Sequence, residues 1–120
     1  MIRIAFALAI AGSLLPPTQA RAHAHLDHAS PAVGSTVAQA PQEVVIWFTR
    51  DLEPAFSTIQ VNDEKGAPVT AGKAVVDPKQ RTLLRVPLKA LPPGTYKVIW
   101  RVLSVDTHRT QGEFKFRVGP

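Results

Sequence analysis

The sequence predicts an all-β protein: a single antiparallel β-sandwich of immunoglobulin-like size. Three observations carry this. Beyond residue 22 no segment sustains a helical repeat of apolar residues, whereas several alternate apolar and polar side chains with period two. Clusters of turn formers separate those segments: Ala40-Pro41-Gln42, Asp63-Glu64-Lys65-Gly66, Asp77-Pro78 and Pro92-Pro93-Gly94. About seven such segments fit into the 98 residues from His23 to Pro120, the density of a sandwich.

The elements follow in order. Residues 1–22 have the layout of a secretory signal peptide. Arg3 is a short basic start, residues 4–15 are an apolar run, and Pro16-Pro17 ends it. Ala20-Arg21-Ala22 then supplies a small-x-small cleavage site, so the mature chain is expected to begin at His23, after export to the periplasm. The competing reading, an uncleaved anchor, needs a longer apolar run to span a bilayer. A first strand is expected near residues 25–28. In residues 43–49, Val44, Ile46 and Phe48 share one face, with Val45 and Trp47 on the other. Further strands are expected at residues 57–62, 73–76 and 82–88. Tyr96, Val98, Trp100 and Val102 line one face of a longer strand, and Phe114, Phe116 and Val118 alternate with Glu113, Lys115 and Arg117 in the last. Trp47 and Trp100 are expected as core residues on facing strands.

The chain has no cysteine, so an exported domain of this size must be held by core packing. Its one methionine is Met1. Removing residues 1–22 takes away Arg3 and Arg21, leaving 12 Lys and Arg against 9 Asp and Glu, and the net charge falls from +5 to +3. The basic residues are scattered singly and form no stacking platform with aromatics, which argues against a nucleic-acid partner. A monomer is the expectation for a small domain of this kind.

Three of the four histidines crowd the predicted mature start, in Ala20-Arg-Ala-His-Ala-His-Leu-Asp-His-Ala-Ser-Pro31. A chain beginning at His23 offers two nitrogen donors from one residue, the α-amine and the imidazole. Both ionise near neutral pH, so a metal displaces their protons cheaply. Nitrogen donors favour Cu(II) among divalent first-row ions, and a mature chain without sulfur offers no soft Cu(I) site. The fourth histidine, His108, stands two residues after Asp106. On extended chain both point to one face, and together with the His23 pair they make a four-donor set. The competing reading is an aspartate capping a turn beside a surface histidine. His25, third in the mature chain, is a further candidate, since an amine-x-x-His terminus can wrap Cu(II) alone. A core anchor at Leu26 would discourage that wrap. His28 reads as a polar strand-end histidine.

The mature chain resembles the CopC family, copper resistance protein C and the YobA-like periplasmic copper-binding proteins, over nearly its whole length. The residues that carry the resemblance are His23-Ala24-His25-Leu26 with Ser30-Pro31-Ala32; Pro41, residues 45–48 and Leu52-Glu53; and Pro93-Gly94-Thr95-Tyr96. They continue into Trp100-Arg101-x-x-Ser104-x-Asp106-x-His108 and Gly112-x-Phe114-x-Phe116-x-Val118. The resemblance implies a Greek-key β-sandwich. It also implies one Cu(II) per chain held by His23, Asp106 and His108, in a copper carrier or buffer, not an enzyme. A partner of the CopD type, an inner-membrane copper protein, is implied too. The chain departs from the pattern at Arg109, where many relatives have proline, and at Arg50, where some have a glutamate. Asp51 and Glu53 stand close by, but neither is assigned as its replacement. Two rival readings stay open on the residues alone. One is a histidine-brace copper oxygenase, which needs an open coordination position that Asp106 would fill. The other is an immunoglobulin-like interaction domain with incidental histidines.

Overall fold

The computed structural model describes residues 24–120; His23 and the predicted signal segment lie outside the described residues. Eight strands form two four-stranded sheets. They are β1 (Leu26–Ser30), β2 (Thr36–Val37), β3 (Glu43–Phe48), β4 (Thr58–Asn62), β5 (Val75–Val76), β6 (Leu83–Pro87), β7 (Gly94–Leu103) and β8 (Arg109–Val118). A single 3₁₀ turn, Pro54–Phe56, lies between β3 and β4.

One sheet has the order β1-β3-β6-β5 and the other β2-β8-β7-β4. Without β2, these are the two sheets of an immunoglobulin constant-type Greek key. The seven expected strands are all present. The eighth, β2, is two residues long and pairs parallel with β8, Thr36 opposite Arg117 and Val37 opposite Val118. A parallel pair this short leaves no period to read.

The core forms where the alternation dictates. Inward residues of β7 (Tyr96, Val98, Trp100, Val102) and β8 (Phe114, Phe116, Val118) meet Val44, Ile46 and Phe48 of β3 and Leu84 and Val86 of β6. Phe48 meets the Trp100 ring edge-on at 5.2 Å. Each such side chain contributes about 1.5–3 kcal/mol by leaving water. One or two of them therefore match the stabilisation of a typical disulfide, which explains how the domain dispenses with cysteine. Gly112 faces Trp100 in the sheet, and a Cβ there would come within 2.5 Å of the indole, so the ring occupies the space a side chain would need. Tyr96, the third residue of β7, donates its hydroxyl to the Pro92 carbonyl at 2.5 Å, a tyrosine corner.

Trp47 departs from expectation. It lies half-exposed on the outer face, stacked on His28 at 4.3 Å with the rings 9° from parallel. The inner phase of β3 belongs to Val44, Ile46 and Phe48, so period two sends Trp47 outward. An irregularity between Leu26 and His28 then swings His28 opposite Trp47.

Candidate metal centre

The β7–β8 hairpin turns through Ser104 to His108. Thr107 N–H donates to the Ser104 carbonyl at 2.9 Å, and Ser104 N–H to the His108 carbonyl at 3.0 Å. Thr107 takes φ +71°, completing a three-residue hairpin loop whose last residue is left-handed. A β-branched residue in this conformation is a genuine outlier, costing on the order of 1–2 kcal/mol, and it stands between the two candidate ligands. The loop is pinned from the side. Val105 N–H donates to Asp51 C=O at 3.0 Å, Glu53 N–H to Leu103 C=O at 2.8 Å, and Leu52 bridges to Ser104.

The turn brings Asp106 and His108 together, with His108 Nδ1 3.4 Å from Asp106 Oδ1 and both side chains about half exposed. The expected pairing is present, but turn geometry produces it and not an extended strand. Beneath them sits Ser104, fully buried. Its hydroxyl reaches both the Asp106 carboxylate and, at 3.2 Å, the His108 carbonyl. A hydroxyl has one proton, and the charged carboxylate is the stronger acceptor. That bond, followed by the interaction with His108, holds the Asp106 carboxyl below the usual carboxylate range.

The start of the described chain is tied to the same end of the sandwich. Ala24 is fully buried, and its carbonyl accepts from Thr110 Oγ1 at 2.6 Å, two residues beyond His108. His25 is bound to Thr49 in both directions: its N–H donates to Thr49 Oγ1 at 3.0 Å, and its carbonyl accepts from Thr49 N–H at 2.9 Å. The His25 Nε2 is shut away from solvent. His28 stands apart on the outer sheet face, its Nδ1 2.7 Å from Asp27 Oδ2. Thr49, Arg50 and Asp51 border a shallow groove that also contains Asp106, so the cation at residue 50 lies beside the candidate site. Among the described residues, no three His, Cys, Asp or Glu side chains converge as a complete metal site. The third expected ligand, His23, lies outside them.

Two contributors have weak sequence signals. Ser104 lies two residues before Asp106, a spacing that favours side-chain capping within a turn. Thr110 is a polar residue in the inward phase of β8, where Phe114, Phe116 and Val118 follow.

The CopC domain model matches residues 26–119. The chain is 38% identical to Protein YobA of Escherichia coli K12 over 94% of its own length and 92% of that protein's. It is 34% identical to copper resistance protein C of Pseudomonas syringae pv. tomato, over 97% of this chain and 96% of that one. The crystal structure of CopC from Methylosinus trichosporium OB3b superposes with a TM-score of 0.77 at 35% identity, covering 82% of this chain and 95% of that one. With nearly the whole sandwich matched in sequence and in structure, the chain belongs to the CopC family.

Proposed function

We propose that this chain is a periplasmic copper-binding protein of copper resistance or homeostasis. It carries or buffers one Cu(II) on His23, Asp106 and His108, and it does so as a carrier, not a catalyst. The similarity to copper resistance protein C supports the copper role. The observation that carries the site is the Ala24–Thr110 bond. Residue 23 is one peptide unit from Ala24, about 3.8 Å between Cα atoms. His108 precedes Thr110 by two residues, about 7 Å along a strand. This tether supports the reading in which a chain cleaved after Ala22 supplies its α-amine and the His23 imidazole to the same metal as Asp106 and His108.

The donor set fits the metal. Three nitrogens and a carboxylate oxygen suit tetragonal Cu(II), and a chain without mature sulfur offers no thiolate or thioether to Cu(I). Ser104 donates to the Asp106 carboxylate and aims it, the usual task of a group behind a ligand. The rival local wrap at His25 must deprotonate the His25 amide, and that N–H is already given to Thr49. A copper acceptor of the CopD type in the inner membrane, and a monomeric carrier, complete the proposal.

The test is a Cu(II) titration of the exported protein followed by electron paramagnetic resonance, repeated on His108→Ala and Asp106→Asn. One tight equivalent is expected, with nitrogen hyperfine structure that simplifies in His108→Ala. Binding that is indifferent to His108 would overturn the assignment in favour of the wrap.

A further inference from the structure

Of the six cations carried on strands, five lie on β7 and β8 and only Arg85 lies on the other sheet. On the β2-β8-β7-β4 sheet the solvent-facing residues of β7 and β8 include Lys97, Arg101, Arg109, Lys115 and Arg117, with Glu113 the one carboxylate on those two strands. Asp63 and Glu64 line a groove with Lys97 and Lys115 at one end of this face, and with those two carboxylates counted the face is net +2. Lys97 and Lys115 stand directly opposite each other across β7 and β8, an arrangement that costs stability and that the fold does not require. Glu113 relieves it only in part, reaching Lys97 at 3.5 Å.

We infer that this face is a docking surface for anionic phospholipid headgroups. The cations are spread along two ten-residue strands, about 30 Å, rather than gathered around one point. The aromatic side chains of these strands (Tyr96, Trp100, Phe114, Phe116) all point inward, so the face lacks the central aromatic anchor typical of a specific protein interface. Distributed charge of this kind suits a fluid surface whose headgroups move to meet it. At the rim, Phe56 is 59% exposed and shares a groove with Arg101 and Arg109, placing an apolar ring beside cations as interfacial anchors do. The inference does not rest on the copper reading.

The test is co-sedimentation of the metal-free exported protein with vesicles of equimolar phosphatidylglycerol and phosphatidylcholine, and with phosphatidylcholine alone, at low and high salt. Binding is expected to the anionic vesicles only, with release by salt. The triple variant Lys97→Gln/Lys115→Gln/Arg117→Gln should lose roughly a hundredfold in affinity, about fivefold per cation. The triple Lys73→Gln/Lys79→Gln/Lys89→Gln, equal in charge change but off this face, should bind nearly as the parent does. Failure to bind anionic vesicles at low salt would overturn the inference, leaving an acidic protein as the partner such a face would fit. An equal loss in both triples would overturn it too, by reducing the effect to net charge.

Discussion

The two ends of the β7–β8 ribbon are built from the same kinds of residue and use them in opposite ways. At the Gly94 end, Asp63 accepts from the backbone N–H groups of Lys65 and Ala67, both at 2.9 Å, and Glu64 accepts from Thr95 N–H at 2.9 Å. The left-handed positions there belong to Gly66 and Gly94, and the buried Tyr96 hydroxyl donates to a backbone carbonyl. Burial, reinforced by the Asp63 and Glu64 charges, pushes the Tyr96 phenol up and keeps it a donor. At the Ser104–His108 end the left-handed position is a threonine, and the buried hydroxyl donates to a half-exposed carboxylate that faces a histidine. One end spends its carboxylates on making the turn. The other accepts a strained backbone and holds its carboxylate outward, ready for a ligand.

The widest divergence is expected from the two buried hydroxyls. Ser104→Ala should lower Cu(II) affinity about 10–100-fold, because Asp106 loses the donor that aims it; competition against a chelator of known affinity would read this. Tyr96→Phe should cost about 1–3 kcal/mol in denaturant unfolding and leave copper binding unchanged. If both variants affect copper equally, the contrast between the ends collapses. Next come the left-handed positions. Gly66→Ala should destabilise by about 1 kcal/mol, since only backbone strain opposes the added methyl, whereas Thr107→Gly should stabilise by a similar amount while weakening copper binding.

The smallest effect is a pH dependence. The Asp106 carboxyl is held below its ordinary value near 3.8, so the stability it contributes is present above that value and lost as pH falls through the lower folded one. Unfolding of Asp106→Asn and the parent should differ at neutral pH and converge in acid. Asp106 stays ionised between pH 5 and 8 and should add no pH dependence to copper binding there.

Most of the sandwich was legible because its strands are half-buried and alternate strictly, as β8 does from Glu113 to Val118. β2 was not, being two residues long, and the expectation of Trp47 in the core fails because its phase on β3 puts it outside. Asp106 and His108 were legible as a pair from their spacing, although the turn that joins them depends on a left-handed threonine that no pattern announces. The Ala24–Thr110 bond links residues 86 apart in sequence, so it exists only once both sheets have formed. The same holds for the cations of β7 and β8: each is isolated along the chain, and only the pairing of the two strands assembles them.

The central claim is that the first residue of the mature chain is a copper ligand, and one comparison tests it most directly. Exported protein, its start at His23 confirmed by mass, is titrated with Cu(II) beside a variant carrying one additional residue before His23. The account requires one tight equivalent in the first and its loss in the second, because the α-amine has become an amide. Equal, tight binding by both proteins would contradict it.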